Sequence, residues 1–345
     1  MDFFTKVNIP ATDFKIDYRS SLMFVGSCFA DNISRQWTER KFNVLSNPFG
    51  TIYNPLSIAE MLARIARCEK SPKDTEGQPP LTAQNAAFTE GDVFFDGENW
   101  CCWNASSKFV GEDQNREVFI EKLNQAARGS YNFLKKADAI FITLGTAYVY
   151  FLKETGNVVS NCHKQNATLF ERRLISVDEA ASALRKTIVA LRAINPNIHI
   201  VFTVSPLRHL SDGAHENNLS KSTLLLAVEN VCEDSSASYF PSYEIVMDEL
   251  RDYRFYADDM VHLSEVTEDY IFECMASAYC EAATLAQMKR VEKFMKTANH
   301  RIINADSAKT ATLAEQQIAQ ANLLESQIAG LDLSEEIKYF KSLLF

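Results

Sequence analysis

Three short, almost uninterrupted apolar runs constrain this chain more than any other feature: LMFVG at residues 22–26, AIFITL at 139–144 and IHIVFTV at 198–204. Each stops at a glycine, serine or proline, and segments of helical spacing separate them. Runs this short and continuous read as strands buried on both faces, the pattern of a parallel sheet. The helical segments begin with clear signals: Cys28 onward after the first run, Asn54 as N-cap with Pro55 at the first helical position, and Ser176 with Glu179 at capping-box spacing. Further helices read at about 113–136 and 218–232, and SYFPSYEIV reads as a fourth strand. Strands alternating with helices predict an α/β fold whose chemistry sits in the loops at the strands' C-terminal ends.

Two stretches depart from this rhythm. Between about 69 and 110 the chain turns loop-like in KSPKDTEGQPP, and then clusters aromatics around Asp-Gly in DVFFDGENWCCW. That predicts an inserted hairpin. After DDMVHLS the chain is helical nearly to its end, with Ala314, Ile318, Ala321, Leu324, Ile328 and Leu331 forming one apolar seam. The organisation expected is therefore an α/β domain over residues 1–265 and a helical extension over 266–345. The seam either packs back on that domain or joins a second copy of the chain in a homo-oligomer.

A net charge of −10 with no basic tract argues against nucleic acid and polyanionic surfaces as partners. MDFFTKVNIP carries no basic segment followed by an apolar stretch, and no run approaches the length of a membrane span, so a soluble cytoplasmic protein is expected. The eight cysteines lack C-x-x-C pairing and any histidine at zinc-site distance, so neither a metal nor another cofactor is expected. Most read as buried thiols in a reducing compartment. Adjacent Cys101 and Cys102 would point to opposite faces of a strand.

The first run ends in Gly26-Ser27-Cys28. A serine there sits on a sharp strand-to-helix turn, beside N–H groups able to stabilise an oxyanion. It still needs a base and a group to orient that base. Asp259-Met260-Val261-His262 offers both on one turn. Cys28, at a helix N-terminus, is the rival nucleophile. Asn161, His163, Lys164, Arg208 and His209 either line an acyl or anion pocket or are solvated loop side chains, as is His215. His199 and His300 read as structural, and Trp37, Trp100 and Trp103 as core or hairpin packing in preference to a sugar-stacking platform.

In combination these blocks resemble a known family. GSCFA at 26–30, with NPFGTIYNP, ITLGTAYVY, NCHK and DDMVHLS, is similar to the GSCFA family, itself similar to the SGNH (GDSL-like) hydrolases, over roughly residues 3–265. The resemblance implies a flavodoxin-like, three-layer α/β/α fold and a serine esterase or acyl hydrolase. Ser27 would be the nucleophile, His262 the base and Asp259 its orienter. The backbone N–H groups of Ser27 and Gly50, with the Gly145-Thr146 block, would face the oxyanion. In one respect the chain departs from the pattern: where SGNH proteins carry Gly-x-Asn, it reads Gly145-Thr146-Ala147. Thr146, Asn161 and His163 are the candidates to replace the missing amide. The substrate expected is a small-molecule or carbohydrate acyl ester. The same residues would serve an acyltransferase, and a binding protein with a degenerate pocket is the reading from a different class.

Overall fold

The computed structural model describes residues 5–70, 86–111, 115–233, 235–299 and 307–344. The chain runs β1 (Ser21–Gly26), α1 (Cys28–Glu39), β2 (Asn43–Ser46) and α2 (Pro55–Ala66), then a hairpin of β3 (Val93–Phe95) and β4 (Trp100–Cys102). Next come α3 (Arg116–Leu134), β5 (Ala139–Leu144), β6 (Tyr148–Leu152), β7 (Val158–Val159), β8 (Phe170–Leu174) and α4 (Val177–Ile194). After these follow β9 (His199–Val204), α5 (Ala214–Glu233), β10 (Ser238–Tyr239) and a short α6 (Ser242–Glu244) that runs into a π-turn. Four helices complete the chain: α7 (Glu265–Tyr279), α8 (Ala282–Ala298), α9 (Ser307–Gln327) and α10 (Ser334–Ser342).

β10, β9, β5, β1 and β2 lie in that order in one sheet, every neighbouring pair parallel. In chain order of the sheet strands this is 2-1-3-4-5, the flavodoxin-like arrangement. Alternate side chains enter two separate apolar clusters, because strand side chains alternate between faces. Met23, Val25, Ile140, Ile142, Ile200 and Phe202 pack with Ile58 of α2, Leu123 of α3, Leu184 of α4 and Leu224 of α5. Leu22, Phe24, Phe141 and Val201 pack with Trp37 of α1, Ile271 of α7, Val291 of α8 and Leu324 of α9. The result is three layers, and it explains why the strands read as continuous apolar runs.

The start signals of two helices are realised in full. Asn54 accepts from the Ser57 N–H at 2.9 Å, and Ser176 and Glu179 form a reciprocal capping box. Trp37 is core, edge-on to Phe42 and Phe272. The C-terminal seam is covered within the chain: Ala314, Ala321, Leu324 and Ile328 are buried in the same cluster as α1 and α7. The expectation of a homo-oligomer through this row therefore finds no support, since its apolar side chains already have intramolecular partners.

Two features differ from the sequence expectation or escape it. The fourth strand is only two residues long: Phe240 N–H still reaches the Phe202 carbonyl at 2.9 Å, but Pro241 has no N–H to continue the ladder and α6 begins. The aromatic run after Leu144 is not a continuation of β5. It forms β6, which pairs antiparallel with β7 and β8 in a separate small sheet that no pattern in the sequence announced. The β3–β4 hairpin is formed as expected, its turn held by Asp96 accepting from the Glu98 and Asn99 N–H groups. Most of KSPKDTEGQPP, and His300, lie outside the described residues.

Candidate active site

β1 ends at Gly26 with φ +135°, where an added Cβ would stand 2.1 Å from the Thr143 carbonyl oxygen of β5. Only glycine fits between two parallel strands that close together. Ser27 follows as the N-cap of α1, yet its hydroxyl makes no capping bond. The side chain is 1% exposed, and its Oγ has no hydrogen-bond partner among the described residues. A buried hydroxyl left unpaired costs about 1–3 kcal/mol, so it calls for an explanation. Asn47, which the sequence reading passed over, locks this corner. Its Oδ1 accepts the Gly26 N–H at 2.8 Å and its Nδ2 donates to Asp31 at 2.6 Å. The only advance signal was its place in the turn-forming SNPFG.

The four backbone donors expected around an oxyanion are all engaged in the folded chain. Ser27 N–H donates to Thr143 O at 3.2 Å, Gly50 to Asn47 O at 2.7 Å, and Gly145 and Thr146 to Tyr53 O at 2.7 and 3.1 Å. Gly50, at φ +73°, leaves no room for a side chain, since a Cβ would lie 2.3 Å from that of Ser106. Gly145 stands directly against the serine: a Cβ built on it would be 3.3 Å from Ser27 Cβ. Thr146 Oγ1 lies 3.1 Å from Ser220 Oγ and accepts the Tyr148 N–H. Ala147 is fully buried, and its N–H donates to Ser220 Oγ at 2.7 Å.

Beside Ser220 lies the residue that sequence reasoning missed altogether. Lys221 is buried, and its Nζ donates to the carbonyls of Gly145 and Ser205 at 2.7 Å each. Burial, reinforced by the Arg208 charge, pushes its pKa down to about 7, with Cys28 acting in the opposite sense. Nothing in NNLSKSTLLLAVENV distinguishes this lysine from an ordinary solvated one. The Cys28 thiol is pushed up, first by burial and then by Asp31. A protonated thiol is a poor nucleophile, which disfavours Cys28 as the rival to Ser27.

Asp259 and His262 form one tight turn. Asp259 Oδ1 accepts the Val261 and His262 N–H groups at 2.9 and 2.8 Å, and Oδ2 meets His262 Nδ1 at 2.5 Å. That leaves Nε2 of the ring turned away from its carboxylate partner. Both side chains are exposed, at 51% and 58%. The His262 side chain, then the two N–H groups, holds the Asp259 carboxyl down at about 2. The turn leads into α7 at the N-cap Ser264, and Glu268 one turn on is bonded to Asn32 and Arg35 of α1. These bonds set the first turn of α7 against the middle of α1, the helix that Ser27 caps. No hydrogen bond joins His262 to Ser27.

The remaining candidates fall into two groups. His209 lies edge-on to Tyr53, with ring centroids 5.8 Å apart, and its N–H donates to Asn217 Oδ1. Its pKa is lowered by burial and then by the Lys221 charge, which puts it in the Ser27 neighbourhood. Arg208 acts on Lys221 electrostatically while donating to Asn218 at 3.0 Å. Asn161 and His163 are engaged elsewhere. His163 is buried with Nε2 2.8 Å from the Cys102 carbonyl, packed against Phe94 and Trp103, and Asn161 Oδ1 accepts its N–H. These two tie the inserted hairpin to the 160s loop, and no contact links them to the serine.

Among the described residues no three His, Cys, Asp or Glu side chains are placed to hold a metal, and no helix is long and apolar enough to cross a membrane. No curated relative matches this chain. Solved structures similar to it include two esterases. One is a carbohydrate esterase family 3 protein from Talaromyces cellulolyticus, at 9% identity over 78% of this chain and 98% of that one, TM-score 0.33. The other is the acetyl xylan esterase Est2A from the rumen bacterium Butyrivibrio proteoclasticus, at 12% identity over 79% of this chain and 64% of that one, TM-score 0.34. The model of the GSCFA family matches residues 21–275, nearly three quarters of the chain and all of the elements that build the Ser27 corner, and the chain belongs to that family.

Proposed function

We propose that this protein is a serine esterase or acyl hydrolase that works through an acyl-Ser27 intermediate. One observation supports the reading: a buried, unpartnered serine hydroxyl at the end of β1, in a chain whose preformed carboxylate–imidazole couple leads into α7, the helix bonded to α1. His262 Nε2 takes the proton as Ser27 Oγ bonds to the acyl carbon. It then returns that proton to the departing alcohol as the ester C–O bond breaks. Water next attacks the acyl carbon, giving a proton to His262, and Ser27 recovers one as its acyl bond breaks. Asp259 holds the ring in the tautomer that keeps hydrogen on Nδ1. The substrate class is a small-molecule or carbohydrate acyl ester. Another alcohol in place of water turns the same steps into acyl transfer.

The test is turnover of short-chain p-nitrophenyl esters, with fluorophosphonate labelling of the wild type and of Ser27→Ala. The expected result is stoichiometric labelling at Ser27, and a fall in kcat of about 1000-fold or more in the variant. Equal turnover by both proteins would end the proposal. A second reading, a ligand-binding protein with a degenerate pocket, is favoured by the four engaged N–H groups and by Ala147. That reading requires an unlabelled Ser27.

A further inference from the structure

The amide that would help hold an oxyanion is replaced by a buried methyl at Ala147, and the backbone donors around Ser27 already have carbonyl partners. A positive charge lies in the same place. Ser27, Gly145 and Ser205 each directly follow a strand, β1, β5 and β9, that are neighbours in the sheet. Lys221 reaches up from α5 to bond the carbonyls of two of these three residues, and the third packs against Gly145. An ammonium has three N–H groups, and only two are accounted for by these carbonyls. Elsewhere on this face α5 buries Leu224, Ala227 and Val228, so packing alone would be served by an apolar residue. A buried ammonium is expensive to desolvate, and its retention here calls for a use.

We propose that Lys221 is a positioning residue for the Ser27 reaction: it fixes the Gly145 carbonyl, and with it the backbone against the serine, and sets a positive charge where negative charge develops on the acyl adduct. This rests on the reading of Ser27 as nucleophile. The charged or titratable groups facing Lys221 are Cys28 from α1, and Arg208 and His209 from the connection between β9 and α5. Arg208 and burial weaken its hold on the proton. The charge is therefore present below about pH 7 and is lost above it, so activity that depends on it falls on the alkaline side.

The experiment compares kcat, KM and the pH profile of p-nitrophenyl ester turnover in the wild type and in Lys221→Met, with circular dichroism melts of both. The expected result is a kcat lowered about 100- to 1000-fold with KM little changed, and loss of the alkaline limb. Arg208→Gln gives a check that does not depend on Lys221→Met folding: with the repelling charge gone, the limb moves to higher pH. A folded Lys221→Met that keeps wild-type kcat and limb overturns the role, as does a limb unmoved by Arg208→Gln. If fluorophosphonate labels wild-type Ser27 and the limb is missing, only the Lys221 role falls. If Ser27 is not labelled, the nucleophile reading falls and takes this one with it.

Discussion

The Ser27 corner and the Asp259–His262 turn hold the two halves of the proposed chemistry and are built on opposite physical terms. The corner is dry: Ser27, Lys221 and Thr143 are all buried, and every neighbour that fixes them is distant in sequence. The turn is wet and local, the three bonds of its Asp259 carboxylate running between positions two or three apart. Charges behave accordingly. A lysine out of water acts over several ångströms at full strength, whereas an exposed ion pair is attenuated by solvent and salt. The sheet makes the place of Ser27 rigid, and three or four residues of loop suffice to hold the His262 ring on Asp259.

The sharpest way to break this pairing is to remove the ring. His262→Ala is expected to lower kcat about 1000-fold or more, while thermal unfolding stays near that of the wild type, because an exposed side chain contributes within about 0.5 kcal/mol. If esterase turnover survives the change, the turn is not the partner of the corner and the base must be sought among the buried groups. The carboxylate can be placed on the pH axis in advance. Asp259 is depressed in the folded chain, so its ionised contact with His262 is in place above the ordinary carboxylate range and is lost only as pH falls through about 2. Any acid-side loss of turnover between about pH 4 and 8 therefore belongs to a group other than Asp259.

A second change strikes the corner. Gly26→Ala forces a Cβ to within 2.1 Å of a backbone carbonyl of the neighbouring strand, at a φ that side chains avoid. Since neither strand can retreat without breaking the ladder, a loss of about 3 kcal/mol in unfolding free energy is expected, read from the urea midpoint. A loss below about 1 kcal/mol would mean that the corner yields, and its contrast with the turn would disappear.

What was legible in the sequence follows the same divide. The turn's contact could be read because its partners are neighbours: Asp259 and His262 stand three positions apart, although the pair gained meaning only together with the other blocks. The strands could be read because a sheet covered on both faces must be apolar on both, and the Asn54 and Ser176 caps because their bonds close within three residues. Lys221 could not be read, because its two acceptors stand 76 and 16 positions away and only the closed sheet brings them to it. The partner of His163 was hidden for a related reason. Its residue type and its loop suggested a pocket, but the Cys102 carbonyl that claims its ring lies 61 positions earlier in the inserted hairpin. The β6–β8 sheet was hidden because its strands are short and pair across loops, with β6 meeting Glu171–Arg173 some twenty positions later.

The smallest expected effect is the mirror of Gly26→Ala. Met260 holds φ +58° in the middle of the Asp259–His262 turn, with its side chain 52% exposed. A non-glycine residue in that region costs about 1–2 kcal/mol, and glycine removes the penalty while adding about 0.5–1 kcal/mol of unfolded-chain entropy. Met260→Gly should therefore leave stability within about 1 kcal/mol of the wild type, on the gaining side. Because the bonds from Asp259 to Val261 and His262 involve no Met260 side-chain atom, turnover should change by less than about threefold, a difference worth under 1 kcal/mol. Chemical denaturation and ester kinetics on one preparation read both quantities. A tenfold drop in kcat at unchanged stability would mean that the strained methionine, and not the Asp259 bonds alone, aims the imidazole, and the exposed turn would then be as tightly constrained as the buried corner.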